Sequence, residues 1–241
     1  MPHSAHSTTG ANTPDEQELS QRFWNTNQAK ERWTEECPEF LIGTSEKNKG
    51  ILARKDEEFR RRSWEEAKEL VRTNRIDHFQ RSASQLRGYL EYTHQLKKKH
   101  GSVLAYVQKY RLKWDSITPS GERPFNDPGD WKVLYNDWPY YVDEEITHLV
   151  VWTKFLIDED ENGEVREGGK RDIEEFIKTT FCADGRMERD RIVWFRNWKS
   201  LKSVHALEHF HVMLYKAPRD LLDEVTEGDR PTSESWTSGG R

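Results

Sequence analysis

The sequence predicts an α+β domain in which an N-terminal layer of helices packs on a mostly antiparallel sheet. Capped helical segments follow one another between residues 54 and 114, and four short runs of β-branched and aromatic residues come after residue 130. The 241-residue chain is 34% hydrophobic and 34% charged, yet it carries 10 Trp, 10 Phe and 8 Tyr. We therefore expect an aromatic-rich core flanked by disordered ends.

Four segments are expected along the chain. Residues 1–20 are rich in Ser, Thr and Pro and show no hydrophobic periodicity, which predicts a disordered tail. Residues 21–53 hold scattered aromatic residues and are expected to pack over the domain as an extended arm. Residues 54–218 carry the periodic patterns and form the single α+β domain. Residues 219–241, with Gly and Pro near their end, are expected to be a second disordered tail.

Three successive helices are predicted in the first half of the domain. Ser63 and Ser82 each precede a Glu or Gln by three residues, which is the capping-box spacing at a helix start. Gly101 stands where a C-cap glycine ends the second helix, and a third helix follows at once. These helices form the N-terminal layer, and the apolar stripes that face the sheet begin at Trp64, Leu86 and Val103.

The second half of the domain is predicted to contain the sheet. Four apolar runs of strand length are bounded by turn residues, at 133–135, 149–152, 192–195 and 210–214. One amphipathic helix around 173–181 separates the second run from the third. Helices first, and then strands with one further helix, favour an α+β fold over an alternating α/β fold.

Charge and composition limit the classes of partner and the location. The formal net charge is −5; residues 54–113 carry +8 and residues 114–241 carry −10. The basic residues alternate with acidic ones at helical spacing, so nucleic-acid binding is not favoured, and the basic helices can instead pack on the acidic half. The sequence has no apolar run of membrane-spanning length, no signal peptide and no disulfide framework. We expect a cytoplasmic protein, with the nucleus as the alternative.

The strongest candidates for chemistry are two histidines on one predicted strand. His209 and His211 are two residues apart, so their side chains share one face of the sheet while Phe210 points to the other. A neutral imidazole can be a nucleophile, a general base or a metal ligand, although a histidine pair also occurs on half-exposed strands. If the strand that begins at His148 is a neighbour, three histidines line one pocket.

Polar side chains beside aromatic ones form a further candidate binding region. Asn136 and Tyr140 flank an Asp-Trp-Pro turn, which suits either a base-stacking or sugar-binding wall or a structural corner. Asn197 ends the third predicted strand, where an amide either orients a ligand phosphate or caps the following turn.

Metal and cofactor sites are not predicted. Two histidines need one or two further ligands, and the sequence offers few near them. The acidic segment 158–169 begins like a calcium loop, but Gly169 takes the place of its last carboxylate. The chain also lacks a glycine-rich phosphate loop. We therefore expect no cofactor and no metal.

The region from Trp64 to Leu214 resembles a fungal family of uncharacterised proteins named for induction by N-acetylglucosamine. The resemblance extends over well over half of the chain, and the family name describes gene expression rather than an activity. The segments that carry it are Arg81-Ser82 to Tyr89, Gly101-Ser102-Val103, Tyr135 to Tyr140, His148 to Lys154 and Glu208 to Val212.

A more remote resemblance is to the histidine-triad nucleotide hydrolases and transferases. Their order is an Asn–aromatic–Pro–Tyr turn, a His-Leu-Val-Val-like strand ending near a Lys, a strand ending in Asn, a Ser-Val step and a strand with alternating histidines. The matching residues, in the same order, are Asn136, Pro139-Tyr140, His148 to Val151, Asn197, Ser203-Val204 and His209-Phe210-His211. The resemblance implies a HIT-like fold and ligand-binding roles for Asn136, Tyr140, His148, Lys154, Asn197 and Ser203.

The same resemblance implies a catalytic pair. In that superfamily the middle histidine attacks a phosphorus atom to give a nucleotidyl-histidine intermediate, so His211 becomes the expected nucleophile and His209 its orienting or proton-handling partner. Asn197 and Lys154 are then expected to stabilise the phosphate charge.

The sequence departs from the histidine-triad pattern at three places. Met213 occupies the third triad position, Lys202 stands where the hydrolases have Gln, and His209 comes five positions after Val204 where the pattern has two. An alternative register makes His209 the nucleophile and puts Leu207 in the first position.

The leading functional hypothesis is the binding or processing of a phosphorylated small molecule, a nucleotide or a sugar phosphate, through the paired-histidine strand. The alternative is a non-catalytic regulatory or interaction protein in the amino-sugar response, which uses the same pocket without turnover.

Overall fold

The four apolar runs form one antiparallel sheet. The structure is a computed structural model that describes residues 15–161, 163–197 and 207–236. Its strands are β1 (Trp131–Tyr135), β2 (Ile146–Thr153), β3 (Ile192–Phe195) and β4 (Glu208–Tyr215). Their order is β1-β2-β4-β3, and each neighbouring pair is antiparallel. The predicted α+β class is confirmed, and β4 lies inside the sheet.

Of the described α-helices, five precede β1 in the sequence, one lies between β2 and β3, and two follow β4. None of the helices described is both long enough and apolar enough to cross a bilayer. In chain order they are α1 (Glu16–Ser20), α2 (Glu46–Leu52), α3 (Trp64–Arg72), α4 (Ala83–His100), α5 (Val103–Tyr106), α6 (Glu167–Phe181), α7 (Arg219–Val225) and α8 (Thr232–Ser235).

The predicted caps are present at the ends of α3 and α4. The Ser63 and Ser82 hydroxyls accept hydrogen bonds from the backbone N–H groups of Glu66 and Gln85, whose side chains accept from the serine N–H groups in return. α4 ends at Gly101, whose φ of +80° lies in the region that favours glycine.

The third predicted helix changes form after one turn. α5 covers four residues, and residues 107–112 then make a π-helical turn. Val107 and Leu112 are buried there against Leu134 of β1 and Leu207. Tertiary packing on the sheet therefore outweighs the α-helical period that the sequence shows.

The sheet is covered on both faces. On β4, Phe210, Val212 and Leu214 pack against α6 in the largest apolar core. The alternate residues of β4 include Met213, which packs under α3 in a second core. The His209–His211 face of the sheet is therefore the one that the N-terminal helices cover.

The segments outside residues 54–218 are more ordered than the sequence suggests. Residues 21–53 are not an extended arm, because α2 and short helical turns within them pack on α4 through Leu41 and Leu52. Residues 15–20 contain α1. The expectation of a tail over 219–241 fails for 219–236, since α7 buries Leu221 in the main core. Residues 1–14 and 237–241 lie outside the described residues.

Candidate functional site

A cavity of about 120 Å³ lies between the histidine face of the sheet and the N-terminal helices. His209 and His211 both line it, and only 3% and 6% of their surfaces are exposed. The histidine pair is therefore not on the protein surface. Aromatic side chains contributed by the sheet, the helices and the turn after β1 supply much of the remaining wall, namely Tyr89, Tyr92, Tyr106, Trp138, Tyr140 and Trp152.

His211 is held between a second imidazole and an amide. Its Nδ1 lies 3.0 Å from Nε2 of His148, and its Nε2 lies 3.0 Å from Nδ2 of Asn197. Because the Asn197 amide donates, Nε2 of His211 accepts, and a neutral His211 carries its proton on Nδ1. That proton is donated to His148. The Phe195 ring stacks on His211 with a 14° angle between planes, which fixes the ring orientation.

His148 is buried and is the hydrogen-bond acceptor of this pair. It is 3% exposed, and burial, followed by the positive charge of Arg81, lowers its pKa from 6.5 to about 3. His148 is therefore a neutral imidazole at physiological pH. Nε2 of a neutral His148 can accept a hydrogen bond from Nδ1–H of His211. This direction agrees with the orientation of the Asn197 amide, which donates to the other ring nitrogen of His211.

The turn after β1 fixes one side of His148. The backbone N–H of Asn136 donates to the His148 carbonyl at 2.9 Å, and its side-chain oxygen accepts the N–H of Trp138. These bonds place Nδ2 of Asn136 3.2 Å from Nε2 of His148. The Trp138 ring packs on Gly88 of α4, where a Cβ would lie 2.8 Å from two ring atoms. A small residue in α4 therefore makes room for the turn.

His209 has a different environment. Its Nδ1 lies 2.9 Å from the carbonyl oxygen of Leu207, which can only accept. Nδ1 therefore carries the proton, and in a neutral imidazole Nε2 carries the lone pair. The Trp152 ring lies against His209 with centroids 4.6 Å apart and restricts its rotation.

Tyr140 and Asn197 place polar atoms beside the histidines. The Tyr140 hydroxyl accepts from Nδ2 of Asn197 at 3.4 Å, and its ring stacks on Phe79 and His148. Oδ1 of Asn197 is buried and makes no hydrogen bond with the described residues. A buried acceptor on a cavity wall favours a ligand or water that donates to it.

Of the predicted ligand residues, Lys154 lies away from the cavity wall, and Ser203 is not among the residues that the structure describes. Lys154 follows β2, and its ammonium lies over the Trp114 ring at 5.2 Å rather than on the cavity wall. Ser203 lies outside the described residues. The other predicted site residues all surround the cavity or contact His211.

Sequence reasoning missed the contribution of the helices to this site. Arg81, Tyr89 and Tyr92 line the cavity from α4 and the residue before its N-cap. The sequence feature that could have revealed these residues is a basic residue directly before the Ser82 capping box, followed by aromatic residues on the buried face of α4. That stripe reads equally well as ordinary core packing.

The acidic segment is a closed hairpin. Glu159 pairs with Val165 in a β-bridge, and the Arg196 guanidinium contacts the carboxylates of both Glu159 and Glu208. The Arg196 guanidinium thus neutralises carboxylates that a bound metal cation would need as ligands. Within the described residues, no group of three or more His, Cys, Asp or Glu is arranged to hold a metal ion.

A family model described as "Protein of unknown function (DUF3605)" matches residues 63–215. The chain belongs to this family. It is 31% identical over 186 residues to N-acetylglucosamine-induced protein 1 of Candida albicans, covering 69% of this chain and 73% of that protein. The predicted resemblance to the N-acetylglucosamine-induced proteins is thereby confirmed.

The chain is also similar to a second curated protein and, in fold, to a solved structure. Uncharacterized protein YPL067C of Saccharomyces cerevisiae is 25% identical over 157 residues, which cover 63% of this chain and 78% of the relative. The solved structure titled "Crystal Structure of HTC1" superposes with a TM-score of 0.57 at 23% identity, over 69% of this chain and 96% of that chain. At this identity the likeness shows a shared fold. The histidine-triad resemblance stays a prediction.

Proposed function

We propose that this protein binds a nucleotide or a sugar phosphate in the histidine cavity and cleaves or transfers its phosphoryl or nucleotidyl group. The observation that carries the proposal is the position of His209. This buried imidazole lines a cavity and is held by the Leu207 carbonyl in the tautomer whose Nε2 carries a lone pair.

The proposed reaction has two steps. Nε2 of His209 attacks the phosphorus atom; a P–N bond forms as the P–O bond to the leaving group breaks, and the leaving oxygen keeps the bonding electrons and takes a proton from solvent. Water then attacks the phosphorus, the P–N bond breaks, and the water proton passes to solvent as His209 returns to its neutral form. In this proposal the Asn197 Nδ2 hydrogen that donates to the Tyr140 hydroxyl at 3.4 Å turns to the phosphoryl oxygens and stabilises their negative charge.

In this proposal the nucleophile is His209, whose Nδ1–H is held by the Leu207 carbonyl. Nε2 of His211 accepts from Asn197 and its Nδ1 donates to His148, so attack by His211 requires displacement of the amide. We assign His211 the role of positioning Asn197. Lys154 does not contact the phosphate in this proposal, because it does not line the cavity.

A non-catalytic role is the second candidate. Both ring nitrogens of His211 are engaged by protein groups, which suits a rigid binding wall as well as a reactive site. In this case the protein acts as a regulatory or interaction protein that senses a phosphorylated metabolite in the amino-sugar response.

We further propose a cytoplasmic location and a phosphorylated small molecule as the partner. Cys37 and Cys182 are both free thiols, which is compatible with a reducing compartment. The acidic residues between the basic residues of α3 form ion pairs such as Arg72–Glu69. This pairing gives no support to nucleic-acid binding.

The test combines ligand binding with detection of a covalent intermediate. Nucleoside monophosphates, nucleotide sugars and sugar phosphates are screened by thermal shift, where a ligand at about a hundred times its Kd adds ~2.7 kcal/mol of stability. Phosphorus-labelled ligands that bind are then mixed with wild type, His209→Ala and His211→Ala. The adduct is quenched and mapped. His94→Ala is the matched control, because His94 lies near Glu39 and does not line the cavity.

We expect labelled protein in wild type and His94→Ala, and none in His209→Ala. Labelling that survives in His209→Ala but not in His211→Ala restores the sequence-based assignment of His211. Binding without labelling or turnover supports the sensor role, and an absence of binding by every phosphorylated compound overturns both.

A further inference from the structure

Arg81 stands between the histidine cavity and a second cavity. The second cavity has a volume of about 340 Å³ and shares Arg81, Tyr89 and Tyr140 with the first. Lys47, Asn48 and Asp77 are among the other residues that line it. The two cavities thus meet at one guanidinium and two aromatic rings.

The Arg81 guanidinium is held in place without an acidic partner. Its Nε and Nη2 donate to the Trp138 carbonyl, and it lies over the rings of Tyr89 and Tyr140, 4.2 and 5.3 Å from their centroids. Among the described residues, no carboxylate lies within ion-pair distance of Arg81, and Nη1 makes no hydrogen bond. Three of its five N–H donors remain for another acceptor.

Arg111 shows what a structural arginine in the same wall looks like. It pairs with Asp229 at 2.6 Å and with Asp137 at 2.9 Å. A half-buried cation is costly without a counter-charge, so the protein neutralises Arg111 and leaves Arg81 with neutral partners. That difference favours an anion from outside the chain as the partner of Arg81.

The cavity sizes indicate which part of a ligand meets Arg81. At about 120 Å³ the first cavity is smaller than most small-molecule sites, which span roughly 300–1,000 Å³. A ligand of nucleotide size that reaches the histidines extends beyond the first cavity, and the second cavity, which shares Arg81 with it, adds about 340 Å³. If phosphorus lies at His209, the atoms that pass Arg81 are the phosphate oxygens and the group attached to them.

We infer that Arg81 is the anion-binding residue that selects phosphorylated ligands, with the phosphate at the boundary of the two cavities and the organic moiety in the second. The inference rests on the proposed function for the identity of the anion as a phosphate. Arg81 acts here by binding, and it forms no covalent bond.

The experiment compares charged and neutral forms of the same ligand by calorimetry. AMP with adenosine, and glucose 6-phosphate with glucose, are titrated into wild type, Arg81→Gln, Arg81→Lys and the control Arg61→Gln. Arg61 is a matched control because it also lies over a tyrosine ring, that of Tyr141, and donates to a carbonyl, that of Val142. It lines neither cavity.

We expect Arg81→Gln to weaken the phosphorylated ligand that binds by about ten- to a hundredfold, the range for a lost hydrogen bond to a charged group. The neutral counterpart should change less than twofold, and Arg81→Lys should fall between. Equal weakening of both forms, or no more weakening than in Arg61→Gln, overturns the inference. Should Arg81→Gln not fold, the same comparison is made with Arg81→Lys.

Inorganic phosphate separates this inference from the proposed function. If phosphate binds in an Arg81-dependent way while no labelled histidine forms, the inference stands and the transfer reaction falls. If AMP or glucose 6-phosphate binds Arg81→Gln as tightly as wild type while the labelled intermediate still forms, the inference falls and the reaction stands. A wild-type protein that binds neither phosphate nor any of the phosphorylated ligands overturns the inference.

Discussion

Nε2 of His148 and Nδ1 of His211 lie 3.0 Å apart, which joins imidazoles of two neighbouring strands by one hydrogen bond. A hydrogen bond between two neutral imidazoles requires one to donate and the other to accept. Asn197, which donates to the far side of His211, sets the direction of donation toward His148. The site is therefore a directed chain of hydrogen bonds, and its members respond to pH and substitution in predictable ways.

The first prediction concerns stability in acid. Burial and then Arg81 lower the pKa of His148 from 6.5 to about 3, so the unfolded state binds one more proton than the folded state between these values. The free energy of unfolding therefore does not depend on His148 above pH 6.5. Between pH 6.5 and about 3 it falls by ~1.4 kcal/mol for each pH unit of acidification. Urea unfolding of wild type and His148→Gln between pH 7 and 4 measures this term.

The variant should lose less stability than wild type as the pH falls. A parallel dependence in both proteins would show that His148 titrates in the folded state near its ordinary value. His94→Gln serves as a control, because His94 is 29% exposed in its side chain and lies at the surface near Glu39.

Local rules predicted the sheet and most of its helices well. The capping boxes at Ser63 and Ser82 depend on residues three apart, and the strand runs depend on a two-residue period, so both are legible in sequence. The shared face of His209 and His211 followed from the same period. The order β1-β2-β4-β3, which brings His148 beside His211, depends on contacts between distant residues.

The parts that sequence reasoning missed depend on tertiary packing. Arg81 is a site residue because Trp138 and Tyr140, more than fifty positions later, fold against it. The C-terminal segment reads as a tail because it is short and polar, yet Leu221 and Asp229 fix it to the core and to Arg111. Lys154 resembled a phosphate ligand by its position in a motif, but the end of β2 directs it to Trp114.

The tautomer of His209 is the second prediction. Because the Leu207 carbonyl accepts from Nδ1, nitrogen-15 NMR of wild type at pH 7 should show a protonated Nδ1 and an unprotonated Nε2. A protonated Nε2 would contradict the role of His209 as nucleophile. His209→Ala identifies the signals, and those of His94 should remain unchanged in that variant.

Gly88 is the subject of the third prediction. A Cβ at this position would lie 2.8 Å from two atoms of the Trp138 ring, so Gly88→Ala should displace Trp138 and destabilise the fold by about 1–3 kcal/mol. Ligand affinity should fall as well, since Trp138 lines the cavity. Urea unfolding and ligand titration measure the two effects.

Gly50→Ala is the control for Gly88→Ala. Gly50 lies inside α2, and nothing comes within 4 Å of a Cβ placed there. Alanine should stabilise this position by ~0.5–1 kcal/mol through helix propensity. If both substitutions stabilise the protein to a similar extent, Trp138 does not pack on Gly88 as described.

The fourth prediction tests the attachment of the C-terminal segment. Asp229 accepts two hydrogen bonds from Arg111 and one from the backbone N–H of Tyr135, and the Arg111–Asp229 side chains are each 12% exposed. Asp229→Asn should therefore cost about 2–3 kcal/mol in urea unfolding, although Asp137 still pairs with Arg111. Asp223→Asn is the matched control and should cost at most ~1 kcal/mol, because the Asp223–Arg230 pair is exposed. Equal, small effects of the two substitutions would mean that residues 229–236 are not anchored on the cavity wall.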